Sequence, residues 1–258
     1  MKKTGPYIGV TGFMMRNEVI EALAVIPKVS TYRLMVGVLM SSKTLAGQTN
    51  RWPGRYPKKE AVADIFVKDP RVLNLIHYST DEPETLLAQL EEIVEIAGPN
   101  LDGFQLNITW PPVEHIDDFN ETHPEKFLVL QIGKMAMVET WRKKKFVDRI
   151  SEYMPMIDAI LLDPSGGKGE FFNAEEVAEY LRAIPGSWIT IGKMGIGVAG
   201  GLGPDTLPSL GLLLQEFSGL GIDAQGKLRT PQPEDALDID AMKTYLKRAF
   251  FILDGRLT

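Results

Sequence analysis

Cysteine is absent from this 258-residue chain. No disulfide, thiolate zinc site, iron–sulfur cluster or cysteine nucleophile can therefore be built from it, and the lack of disulfides fits a reducing cytoplasm. Long apolar runs are missing too. None approaches the roughly 18 residues of a membrane helix, and the two lysines near the N-terminus precede no apolar segment long enough for a signal peptide. Histidine is scarce, three in all, and no compact His/Asp/Glu spacing suggests a metal; no cofactor is expected. Positive charge is not in excess, the net charge being −6, which argues against nucleic acid or an acidic membrane surface as partner. A small phosphorylated ligand is still admitted, because backbone amides bind phosphate without a basic surface. A homodimer is equally compatible with this composition.

The chain has instead a regular alternation of short apolar runs and amphipathic stretches. Strands are expected over 7–10, 33–39, 72–77, 103–108, 127–132, 157–162, 195–199 and 219–223. Helices are expected over 18–26, 59–66, 84–97, 141–153, 174–183, 206–217 and 239–251, with Asn173 as an N-cap. The strands are continuously apolar, as in sheets buried on both faces. Eight such units in one chain of this length predict a single-domain (β/α)₈ barrel, the TIM barrel, over 1–258, with an open doubly wound sheet as the alternative. Two long connections, at about 42–58 and 109–126, read as irregular loops over the mouth of the barrel.

Two glycine-rich turns stand out: LLDPSGGKGE, residues 161–170, and IGVAGGLGPDT, residues 196–206. Each follows an apolar run and precedes a helical stretch. Such turns crowd bare N–H groups around a small anion, and a following helix adds its dipole. They lie about 35 residues apart, the length of one βα unit, so one phosphate between neighbouring loops is expected.

In a barrel the ligand meets the C-terminal ends of the strands. By position, the candidates are Thr11, Ser41, Lys43, His77, Asn107, Lys134, Asp163, Gly200, Gly201 and Asp223. Asp163, leaving an apolar run into a glycine turn, suits a general acid or base, or simply a turn cap. His77 suits proton transfer near neutral pH or a structural hydrogen bond. Lys134 and Lys193 also follow strand-like runs. A desolvated lysine there could form a Schiff base, neutralise a substrate anion, or lie in solvent.

These pieces resemble the phosphoribosylanthranilate isomerase family. The segment from Val10 to Phe13 (Val-Thr-Gly-Phe) is similar to the family's Ile-Cys-Gly-Leu, and Gln105-Leu106-Asn107 to its Gln-Leu-His. The two glycine turns and the segment from Gly221 to Gly226 match its later motifs in order and spacing. The resemblance implies an Amadori rearrangement of a phosphoribosyl-amine. It gives Asp163 the acid role, makes Gly167, Gly200, Gly201 and Gly226 the phosphate cradle, and puts Lys43 where the family holds a substrate carboxylate with arginine. Gly166, Asp223, Asn107 and Lys134 complete the expected substrate- and phosphate-binding set. Thr11 replaces the family's strand-one cysteine base, and a hydroxyl has no useful basicity near pH 7. His77, Lys134 or a Thr11-oriented water would have to supply that partner. Two further readings stay open: a non-catalytic phospho-ligand-binding barrel, and a Schiff-base lyase or aldolase through Lys134.

Overall fold

The computed structural model describes residues 5–140, 142–165, 173–189 and 194–255. Eight strands run parallel: β1 (Tyr7–Thr11), β2 (Arg33–Ser41), β3 (Val72–Ser79), β4 (Gly103–Leu106), β5 (Phe127–Gly133), β6 (Ala159–Asp163), β7 (Gly195–Ala199) and β8 (Gly221–Ala224). They close in sequence order, with β8 pairing β1 through Ile8 and Ile222, Gly9 and Asp223, and Val10 and Ala224. That last pairing excludes the open sheet.

Side chains alternate across each strand. One set faces outward and packs under the helices in the larger apolar cluster. The other fills the barrel with Tyr7, Met35, Leu73, Leu75, Phe127, Val129, Ala159, Leu161 and Ala199. Two residues further along the same inward rows the filling turns polar. His77 follows Leu75, Gln131 follows Val129 and Asp163 follows Leu161. Gln105 pairs in register with His77 and Val129, and Asp223 with Ala199. The apolar floor and polar ceiling of the barrel thus come from one period-2 pattern.

The outer layer is made of α1 (Arg16–Leu23), α2 (Ser42–Leu45), α3 (Val62–Ile65), α4 (Leu86–Ala97), α5 (Val113–Thr122), α6 (Lys134–Glu139), α7 (Lys143–Ser151), α8 (Ala174–Ala183), α9 (Gly211–Glu216) and α10 (Ile239–Asp254). Helix α4 buries Leu86, Leu90, Ile93 and Ala97 along one stripe. Asn173 caps α8, accepting from the N–H groups of Glu175 and Glu176, and Asp238 caps α10, accepting from Ala241. Among the described residues, no helix is long and apolar enough to cross a membrane.

Three expectations are corrected. The stretch 109–126 is not an irregular loop, because α5 occupies its centre and buries Ile116 and Phe119, the latter edge-on to Phe104 at 5.4 Å. Pro111 and Pro112 precede the first turn, where a missing N–H costs nothing. The helix expected over 59–66 is a 3-10 turn (Lys59–Ala61) running into the single turn of α3. The helix expected over 206–217 is a 3-10 turn (Leu207–Leu210), followed by the six-residue α9. The second glycine turn is therefore not backed by a long, aligned helix dipole.

Candidate functional site

Six inward side chains meet at the C-terminal mouth in one buried network. Thr11, at the end of β1, donates its hydroxyl to both oxygens of Asp223, at 3.0 and 2.9 Å. The Gln105 amide, from β4, reaches Asp223 Oδ2, Gln131 Oε1 and His77 Nδ1, each at 3.0 Å. The Gln131 amide donates to Asp163 Oδ2 at 3.1 Å, and the Ser165 hydroxyl donates to Asp163 Oδ1 at 2.6 Å. The chain of contacts thus runs from Asp223 through two glutamines to Asp163. Close approach makes it fit: a Cβ on Gly37 would lie 2.5 Å from the Thr11 hydroxyl, so only glycine leaves room for that side chain.

Burial dominates the electrostatics. It raises the Asp223 carboxyl to about 7, against the Gln105 and Thr11 donors, and the charge of Asp163 adds to the rise. Burial also raises Asp163, opposed by Ser165 and Gln131. It lowers the His77 imidazole to about 4, leaving the ring neutral through the physiological range. A neutral ring offers one donor and one acceptor. Yet amide nitrogens face both of its nitrogens, Gln105 at 3.0 Å and Asn107 at 3.3 Å. In addition, Gln105 Oε1 is buried without a hydrogen-bond partner, and its amide nitrogen has two hydrogens for three neighbours.

Above this network lies a small cleft of about 50 Å³, open to solvent. Its floor is His77, Gln131, Asp163 and Asp223. Its rim is Ser165, the Gly200–Gly201 turn and Gly226, and Arg55 reaches in from the segment after α2. Gly200 and Gly201 have φ of +110° and +62°, a conformation that favours glycine. The Thr206 hydroxyl braces the turn by accepting from the Gly203 N–H at 2.8 Å and donating to the Gly201 carbonyl at 3.0 Å.

Of the sequence candidates, the structure brings Asp163, His77, Thr11, Asp223, Gly200, Gly201 and Gly226 into this network and cleft. Asn107 is exposed at its edge, against His77. Lys43 does not line it. That side chain is half exposed, 3.5 Å from Asp81, in a second cleft with Arg51, Trp52 and Tyr56. Lys134 is exposed as the first residue of α6, outside the cleft, so it lacks the desolvation a Schiff-base lysine requires. Gly166, Gly167 and Lys193 lie outside the described residues. Sequence reasoning made none of Gln105, Gln131, Ser165 and Arg55 a site candidate, Gln105 entering only through its Gln105-Leu106-Asn107 segment. Gln131 was legible as a polar exception on an inward row two residues past Val129, and Gln105 as the polar residue in the apolar run from Phe104 to Leu106. Arg55 carried no such signal, because its position depends on the path of a loop.

No protein-family model and no curated protein sequence matches this chain. Solved structures do match in fold. The phosphoribosyl anthranilate isomerase of Thermococcus kodakaraensis superposes with a TM-score of 0.58 at 13% identity, covering 93% of this chain and 97% of that one. The alpha subunit of tryptophan synthase from Legionella pneumophila str. Paris gives 0.56 at 14%, covering 95% and 90%. The catalytic domain of a chitinase from Pyrococcus furiosus gives 0.55 at 13%, covering 100% and 98%. Likeness at such identities to proteins of such different names establishes the (β/α)₈ barrel and leaves the chemistry to the site itself.

Proposed function

We propose that this barrel is an enzyme acting on a small phosphorylated sugar, an isomerase in which Asp163 and Asp223 divide the proton transfers. The observation that carries this reading is the pair of buried carboxylates on β6 and β8 at the floor of one cleft, bordered by the Gly200–Gly201 turn. Opening a sugar ring requires an acid at the ring oxygen, and shifting its carbonyl requires a base at the neighbouring carbon. Asp163 and Asp223, both raised by burial, divide these two steps, the carboxyl that keeps its proton giving it and the ionised one taking it; Thr11, which cannot be the base, donates its hydroxyl to Asp223 and orients it. His77, neutral, positions Gln105 rather than carrying a proton. The backbone N–H groups of the glycine turn are suited to a phosphate. The resemblance of residues 161–170 and 196–206 to the isomerase motifs supports the same reading.

The test is a panel of phosphorylated aldoses and glycosylamines assayed with wild type, Asp163→Asn and Asp223→Asn. Each variant should lose at least about 100-fold in turnover, the usual scale of general acid–base catalysis, while ribose 5-phosphate still binds. Full turnover by either variant removes that residue from the mechanism. Binding without turnover of any member by wild type would favour a phospho-ligand-binding barrel instead.

A further inference from the structure

The cleft has an electrostatic imbalance. Two carboxylates lie on its floor, and Arg55 is the one cationic side chain among its described lining residues. An anionic ligand entering it meets repulsion from below unless a cation faces it. The glycine turn leads only into a 3-10 turn and a six-residue helix, so little helix dipole offsets that repulsion.

Arg55 is already engaged. Its Nε and Nη2 donate to Asp235 Oδ2 and Oδ1 at 2.7 and 3.0 Å, a bidentate pair. The Trp52 ring lies beneath the guanidinium, its centroid 5.1 Å from the guanidinium carbon. Asp235, in turn, has a second arginine. The Arg229 side chain is 2% exposed, donates to the carbonyls of Gly12 at 2.9 Å and Gly54 at 2.7 Å, and also bonds the Asp235 carbonyl. Its Nε, however, is buried and lies 3.6 Å from Asp235 Oδ1, just beyond hydrogen-bond distance. A buried guanidinium N–H left unpaired is costly. Here an acceptor stands just beyond bonding distance, and its carboxylate is engaged by Arg55.

We propose that Arg55 is an anion-binding residue of the cleft, and that the ligand's phosphate takes it from Asp235, whose carboxylate then closes on the open Nε–H of Arg229. The exchange leaves no charge alone. Phosphate replaces the carboxylate on Arg55 in the same bidentate geometry, and Arg229 replaces Arg55 on Asp235. The segment from Trp52 to Arg55 would thereby report occupancy to the chain between Arg229 and Asp235, which borders Gly226 in the cleft. The proposal rests on the phosphate reading above and adds to it a side-chain ligand contributed by the connection after β2.

The experiment titrates inorganic phosphate, and separately ribose 5-phosphate, into wild type, Arg55→Gln and Asp235→Asn by calorimetry. Arg55→Gln should weaken both ligands by roughly tenfold or more, the scale of a lost hydrogen bond to a charged group. Asp235→Asn should tighten them, because Arg55 no longer has to leave a carboxylate. A purely structural Arg55–Asp235 tie predicts unchanged affinity in both folded variants, and that result overturns the proposal while leaving the phosphate reading intact. Failure of wild type to bind either ligand overturns both. Because Asp235→Asn strips the countercharge from buried Arg229 and can fail to fold, arginine Nε–H NMR signals of the wild type provide the second readout, assigned with Arg55→Lys and Arg229→Lys. Phosphate should move the Arg55 and Arg229 signals together. Movement of the Arg55 signal alone overturns the exchange, and movement of neither overturns the whole proposal.

Discussion

Burial raises the Asp223 carboxyl, and its proton has a thermodynamic consequence apart from any reaction. In the folded chain its carboxyl titrates at about 7; unfolded, an aspartate titrates near 3.9. Between those values the native state binds the extra proton, so stability falls as pH rises from about 4 to about 7 and levels off above. Asp223→Asn removes that decline. Relative to wild type, the variant should gain up to about 4 kcal/mol between pH 4 and pH 8, the linkage of a shift this large, read from urea unfolding at the two pH values. Parallel profiles would mean that Asp223 ionises normally. Gln105 acts on the same proton from a distance of one hydrogen bond. Gln105→Leu removes a donor to the carboxylate, so the limb of the pH–rate profile due to Asp223 should move to higher pH; a uniform loss of rate with the limb in place would make Gln105 merely structural.

At the level of elements, the site depends on strands being brought close enough for their side chains to share protons. Gly37 on β2 is the clearest instance, because a Cβ there would stand 3.0 Å from the Thr11 Cα and closer still to its hydroxyl. Gly37→Ala should cost about 1–3 kcal/mol, the usual penalty for overpacking, measured by denaturant unfolding. It should also displace Thr11 from Asp223, so the alkaline shift of the pH profile seen with Gln105→Leu should recur. The elements that sequence patterning recovered best were the strands and α4, α8 and α10, whose apolar periodicity is long or whose caps are explicit. It misread 109–126 because two prolines look like breakers unless a helix is known to start after them. It overextended 206–217 because one apolar pattern is shared there by a 3-10 turn and a short α-helix.

For the whole molecule, closure of the barrel converts scattered strand ends into one ring. Ligand binding to that ring should stabilise the native state by mass action, by about 2.7 kcal/mol at a hundredfold excess over the dissociation constant. The melting temperature should therefore climb logarithmically with ribose 5-phosphate in wild type and less steeply in Arg55→Gln at equal concentration. A melting temperature indifferent to the ligand would argue against an anion site at the mouth. The second cleft, with Lys43, is separate from the cleft over Asp163 and Asp223; the rate defect of an Asp163 variant is accordingly expected to be absent from a Lys43 variant.

Local rules were enough for the barrel itself. Continuous apolar strands, their number, their spacing and the glycine turns between them all follow from periodicity and backbone freedom, which are properties of neighbouring residues. The same rules placed Asp163, His77, Thr11 and Asp223 at strand ends and so at the mouth. Only the tertiary structure decided which of these ends meet. Thr11 and Asp223 are 212 positions apart in the chain, and they touch because β8 closes on β1. The polarity of the glutamine bridge, the neutral state of His77 and the raised carboxyls follow from burial, which no single segment possesses by itself. The Arg55–Asp235–Arg229 cluster lay furthest from prediction, since it forms where two irregular connections cross and loop paths obey no short-range period.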